Sequence, residues 1–255
     1  MKIPTQSYRI WFSQRNGSTL LCKMLELTGI AGAPGEFFNV MENESLCEKY
    51  QVSTYEGLKH AIWSAGTREN GVFGMKHSMH RTRYEKIYVE LKRLRNIPSD
   101  QVISEEELLG PFFPNCKHIF LTRRNKIRQA VSWWKAIQDN NWHMKPEDTY
   151  AAAPGFYENK YDYEAIKHLF QEASLRECAM QDYFSKFRIN PLTLVYEDMV
   201  TDMKGTVLQV LDYLNISGDP VFGENYYQPT ANEQSEIWVQ RFRKDLQSEM
   251  GHQIW

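Results

Sequence analysis

A β-prone run at residues 8 to 12 stops at the polar turn Ser13-Gln14-Arg15-Asn16-Gly17, and apolar residues then recur at Leu21, Met24, Leu25 and Thr28 until Gly29. Strand, glycine loop, helix is the reading, because the first stretch suits a pleated strand and the second carries a helical spacing. The pattern returns along the chain. Short strands are predicted at 71 to 76 and 118 to 122; after the second, Asn125 is an N-cap for a stripe of Ile127, Ala130, Val131, Trp134 and Ile137. Residues 163 to 187 read as a helix, 192 to 196 as a strand, and Val207, Val210, Leu211 and Leu214 as a further helix. Residues 218 to 234 read as irregular, and a last amphipathic helix is expected near 237 to 246. Between these, 139 to 160 hold Pro146, Pro154 and Gly155 with few apolar anchors, which predicts a surface excursion or lid. Alternating strands and helices without repeat or composition break predict a single α/β domain over 1 to 255, built on a largely parallel sheet.

Composition narrows the partners. Thirty Lys and Arg against 32 Asp and Glu leave a formal charge of −2, too balanced for nucleic acid as the main partner, so any anion site must be local. Cys22, Cys47, Cys116 and Cys178 contain no CxxC pair, which argues against a disulfide scaffold or zinc ribbon and for a reducing compartment. Pro4 and the polar stretch after it interrupt the apolar run that a signal peptide needs, and nowhere do about 18 apolar residues run together. A cytoplasmic protein without a membrane span is expected.

Two segments carry anion chemistry. In the first, Gly17 lets backbone N–H groups turn toward a ligand, the helix N-terminus adds partial positive charge, and Ser18 and Thr19 add hydroxyls. Arg15 precedes the glycine, where it can neutralise phosphate charge. The Walker pattern is missing, since no lysine follows Gly17. In the second, residues 115 to 138 hold six Lys or Arg and no Asp or Glu. There Arg124 ends a strand, while Arg128 and Ser132 share a helix face away from the apolar stripe. Read alone, the first segment is equally well a capped helix after a tight turn, and the second a solvated basic helix face.

Together the two segments resemble sulfotransferases that use 3′-phosphoadenylyl sulfate (PAPS): Arg15-Asn16-Gly17-Ser18-Thr19 resembles their 5′-phosphosulfate loop, and Arg124 followed eight residues later by Ser132 resembles their 3′-phosphate motif. GSTLLC at 17 to 22, TGIAGAPGEFF at 28 to 38, GVFGMK at 71 to 76, RQAVSWWKAIQDNNWH at 128 to 143, YEDMV at 196 to 200 and SEIWVQRFR at 235 to 243 are similar to the bacterial Stf0 type, the trehalose 2-sulfotransferase family. Gln14 and Asn16 depart from that family's usual loop residues. The resemblance implies a P-loop-like three-layer sandwich and transfer of the sulfuryl group from PAPS to a sugar hydroxyl, leaving adenosine 3′,5′-bisphosphate, with no metal and with a homodimer. Carried over by position, Arg15 to Thr19 hold the 5′-phosphosulfate, Arg124 and Ser132 the 3′-phosphate, and Glu36 is the general base.

A carboxylate that accepts a hydroxyl proton suits this chemistry. Phe37 beside Glu36 offers a ring for the apolar face of a sugar, as does Trp142, whereas Trp134 falls on the apolar stripe and reads as core. Lys76 at a strand end is a candidate for substrate or sulfate contact, and His77 is a reserve base. His77 and His80 have no Cys/His cluster to complete a zinc site. Arg241 and Arg243 on the last helix are within the reach of a cofactor or lie on a solvated face. Two other readings remain open, a P-loop kinase of a small metabolite and a non-catalytic nucleotide-binding module. Segments 42 to 70, 78 to 114 and 144 to 160, which depart most from the family, are expected to shape the acceptor pocket.

Overall fold

The computed structural model describes residues 3–40, 43–79, 81–143, 153, 155–223 and 231–251. Among the described residues four strands, β1 (Gln6–Phe12), β2 (Val72–His77), β3 (Cys116–Thr122) and β4 (Leu192–Val195), form one sheet in the order β2-β1-β3-β4. Every pairing is parallel, with Ile10 opposite Lys76 and Ile119 in β1 to β2 and β1 to β3. Because β2 and β3 flank β1 on opposite sides, the chain leaves their carboxyl ends in opposite directions and opens a crevice there.

Helices cover both faces. On the front, α1 (Ser18–Leu27) and α9 (Met203–Leu214) bury Leu21, Leu25, Val207 and Leu211 against Tyr8, Ile10, Ile119 and Leu121. On the back, α7 (Tyr163–Lys186) brings Met180, Tyr183 and Phe184 onto Trp11 and Phe120. Each such fully buried large side chain contributes roughly 1.5–3 kcal/mol. The expected three-layer α/β sandwich is what the chain forms.

The predicted strands lie within one or two residues of the observed ones, and β4 stops at Val195 because Tyr196 already begins α8 (Tyr196–Thr201). Segments left unassigned from sequence hold α2 (Leu46–Tyr50), α3 (Tyr55–Gly66), α4 (Arg81–Leu94) and α5 (Glu105–Leu109). Leu58, Ile62, Leu91, Leu108 and Phe112 build a second core there, against Phe73 and Met75 of β2. Capping boxes at Ser45 with Glu48 and at Ser104 with Glu107 start two of these helices.

The core side of α6 (Lys126–Asp139) differs from the expected stripe. There Trp133 is the buried tryptophan, with the Arg176 guanidinium 5.0 Å from its ring, whereas Trp134 is half-buried and donates through Nε1 to Lys160 O. Ile137 is exposed. Packed between α7 and α10 (Glu233–Met250), α6 buries a wider arc than a single stripe. The excursion at 139 to 160 and the irregular stretch at 218 to 234 fall partly outside the described residues.

Candidate functional site

The crevice is a cavity of about 730 Å³, walled by the loop after β1, the ends of β2 and β3, α6, α8 and α10. The loop is built to hold one shape. Gly17 takes φ +88°, and a Cβ there would lie 2.5 Å from Tyr196 Cδ2 and 2.8 Å from Met199 Cε, so only glycine fits. Arg15 also sits in the left-handed region, at φ +63°, a strain of order 1–3 kcal/mol that persists only where the surroundings over-determine it. They do so here. Gln129 Nε2 donates to Gln14 O at 2.7 Å, Arg123 Nη1 to Arg15 O at 2.9 Å, and Asn16 Nδ2 to Leu121 O at 2.5 Å. Asn16 is fully buried, so its side chain braces the loop from beneath instead of lining the cavity. The first turn of α1 carries no acidic residue and no capping side chain at Gly17, which leaves the positive end of that helix at the cavity wall.

Arg15 runs along this wall and joins three segments. Its Nε donates to Ser132 Oγ at 3.1 Å and an Nη donates to Trp142 O, bringing α6 and the residues after it to the loop. Burial, and then the neighbouring Arg123, push its pKa down to about 10, so it stays cationic at neutral pH.

Opposite, Lys76 and Glu36 meet. Lys76 N donates to Gly35 O at 3.0 Å, which pins the Gly35-Glu36 backbone beside the end of β2. Lys76 Nζ then donates to Thr19 Oγ1 at 2.9 Å and pairs with Glu36 Oε1 at 3.0 Å. Base candidate, lysine and loop hydroxyl thus form one cluster on the cavity wall. Trp142 and His143 line the rim, and the His143 pKa is pushed down by desolvation first and by Lys76 and Arg15 next.

Other expected residues are placed elsewhere. Phe37 stacks on Phe73, ring centroids 5.8 Å apart, and belongs to the second core, not to the cavity. Arg124 is exposed, donates to both oxygens of Asp198 at 2.8 and 3.1 Å, and lines a smaller cleft of about 470 Å³ with Phe170 and Arg243. Ser132 lines the main cavity, so this pair does not converge on one space. His77 faces the back of the sheet because side chains alternate along β2. His80 lies outside the described residues. Arg241 lies over the Tyr161 ring at 4.0 Å. Among the described residues no three His, Cys, Asp or Glu gather as a metal site.

Sequence reasoning missed Arg123 and, on α10, Ser235 and Val239, which line the main cavity together with Arg128 and Ser132, the pair expected to share an anion-holding helix face. Arg123 packs on the Tyr196 ring at 4.5 Å, and Arg128 pairs with Glu236 at 2.5 Å. The signal for Arg123 was present: Ile119, Leu121 and Arg123 alternate on the front face, whereas Arg124 falls out of phase.

A family profile described as Stf0 sulphotransferase matches residues 7–245. The chain is similar to a trehalose 2-sulfotransferase of Mycolicibacterium smegmatis, 26% identical over 94% of this chain and 96% of that protein. It is also similar to a trehalose 2-sulfotransferase of Mycobacterium tuberculosis, 24% identical over 96% and 97%. A crystal structure of a sulfotransferase from Alicyclobacillus acidocaldarius aligns with a TM-score of 0.46 at 10% identity, covering 100% of this chain and 98% of that one.

Proposed function

The chain belongs to the Stf0 sulphotransferase family, and from that premise we propose that it transfers the sulfuryl group of PAPS to a hydroxyl of a carbohydrate acceptor, trehalose or a related sugar or glycoside. The observation that carries this reading is the Lys76, Glu36 and Thr19 cluster, with contacts of 3.0 and 2.9 Å, at the lip of an arginine-walled cavity.

The reaction is an in-line displacement. The acceptor oxygen forms a bond to sulfur as the bond from sulfur to the 5′-phosphate oxygen breaks, and the hydroxyl proton passes to a Glu36 carboxylate oxygen. A sulfate ester and adenosine 3′,5′-bisphosphate leave. Charge grows on the departing phosphate, where Arg15, the amides from Gly17 onward and the hydroxyls of Ser18 and Thr19 stabilise it by position and electrostatics. Asn16 serves through loop shape. Lys76 holds the Glu36 carboxylate and lies beside Thr19, within reach of the transferred group. Trp142 flanks the acceptor, and Phe37 supports Glu36 from behind.

Ser132 and Arg124 take the 3′-phosphate, with Arg128 as a second cation nearer the cavity. Arg124 must leave Asp198 to do so, and an exposed pair of that kind opposes the move by only about 0–1 kcal/mol. The same reading takes residues 1 to 255 as one sulfotransferase domain, metal-free, cytoplasmic and homodimeric.

Calorimetric titration without metal tests it. Adenosine 3′,5′-bisphosphate should bind more tightly than adenosine 5′-monophosphate, and Arg124→Ala and Arg128→Ala should each narrow that gap. Equal or absent binding of the two nucleotides by the unmodified protein overturns the donor assignment.

A further inference from the structure

Behind the loop, on the face away from the cavity, lies a buried carboxylate that the transfer chemistry does not use. Glu177 of α7 accepts from Ser13 Oγ at 3.0 Å, from Thr122 Oγ1 at 2.7 Å and from Lys126 Nζ at 2.6 Å. Ser13 in turn accepts from Gln129 Nε2 at 2.8 Å, and the same amide donates to Gln14 O at 2.7 Å. The neighbouring Arg176 donates to Gln14 Oε1 and to Glu172 Oε2. Ser13 and Gln129 are fully buried, and Glu177 is 7% exposed.

An acid in such a place is costly unless every donor meets it, and an apolar residue would hold α7 to the sheet more simply. Met180, Tyr183 and Phe184 do that one and two turns further along. What the carboxylate adds is three fixed points. Ser13 begins the loop that follows β1, Thr122 ends β3, and Lys126 opens α6. From the first point come Arg15 to Thr19; from the other two come Arg123, Arg124, Arg128 and Ser132. One side chain therefore ties together the roots of the two anion-holding segments.

We propose that Glu177 is the positioning residue that sets the distance between the 5′-phosphosulfate loop and the 3′-phosphate segment, so that one nucleotide spans both. This rests on the donor assignment above. A ligand that bridges the segments feels the spacing, whereas one that occupies a single segment does not.

The full chain carrying Glu177→Gln is titrated with adenosine 3′,5′-bisphosphate and with inorganic pyrophosphate. Bisphosphate affinity should fall about tenfold, the loss typical of a charge-assisted hydrogen bond, while pyrophosphate affinity moves less than about twofold. In turnover the KM for the donor should rise with the acceptor KM unchanged. Ser13→Ala, which removes one of the three contacts and leaves Glu177 charged, is the gentler variant and should show the same selectivity at a smaller size. Equal losses for both ligands, or none, overturn the proposal.

Amide exchange without ligand separates this idea from the donor assignment. Should the unmodified protein bind no bisphosphate, the donor reading fails. Faster exchange at both 14 to 19 and 122 to 126 in Glu177→Gln, and at 14 to 19 in Ser13→Ala, would still establish the tie, and unchanged exchange at either segment in Glu177→Gln would refute it.

Discussion

Lys76 and His77 are consecutive residues at the end of β2, and they work in different media. Lys76 points to the front, where the crevice keeps its partners Glu36 and Thr19 half-buried and exchangeable. His77 points to the back, wedged edge-on against Trp11 at 5.1 Å and Tyr84 at 5.2 Å, with its Nε2 buried and without a hydrogen bond among the described residues. On that back face Arg9 stacks over Trp11 at 4.2 Å and pairs with Glu105 at 3.4 Å, while Trp11 Nε1 donates to His118 Nδ1 at 2.9 Å. Burial, with Arg9 adding to it, drives the His77 pKa well down and that of His118 to about 4. At the end of β2 the titratable side chain that reaches the crevice is therefore Lys76, on the front face. On the other face the same chemistry is locked into packing, which is why His77 is displaced as a reserve base by its position.

The sharpest way to break this contrast is kinetic. Glu36→Gln should lower turnover by about two to four orders of magnitude with little change in thermal midpoint, since proton acceptance is lost and the carboxamide is isosteric. His77→Gln should leave turnover per folded molecule within about threefold of the unmodified protein. If both variants abolish initial rates equally, the two faces are not functionally distinct.

A smaller effect appears in stability. Trp11→Ala removes a fully buried indole and should cost about 3–5 kcal/mol in urea unfolding, while folded molecules keep their nucleotide affinity. Loss of affinity without loss of stability would join the faces that the structure separates.

The smallest effect is a pH dependence. His118 titrates near 4 when folded and near 6.5 when unfolded, so between these values the unfolded chain binds the extra proton. The His118 share of stability should fall as pH drops from about 6.5 to about 4 and level off below, with about 1–2 kcal/mol lost after allowance for the ring's partial exposure, and His77 and His143, whose pKa values are also held down, add to the slope. His118→Asn should make that segment of the curve shallower by this amount, with the contributions of His77 and His143 remaining, measured as unfolding free energy at several pH values. A curve unchanged by the substitution would place the titration elsewhere.

Much of the frame was legible because its signals are local. The turn at residues 13 to 17 and the apolar spacing after it mark β1, the loop and α1 without reference to the rest of the chain. The caps Ser45 and Ser104 are equally local signals, as is the spacing of Tyr55, Leu58 and Ile62 in α3. Trp133 against Trp134 was a different kind of miss. Both suit a helix, and only the helices packed on either side of α6 choose which one is buried.

From its own residues the chain determines the strand, glycine loop and helix order, the left-handed position that Gly17 alone can fill, and the eight-residue interval between Arg124 and Ser132. These follow from dihedral preference and periodicity, which act over a few residues. Tertiary structure decided that Glu36 meets Lys76, that Phe37 turns to the core, and that Arg123 lines the cavity while Arg124 turns to Asp198. Those outcomes depend on which distant elements compete for the same buried volume, a condition set only when the sheet closes and the helices pack against its two faces.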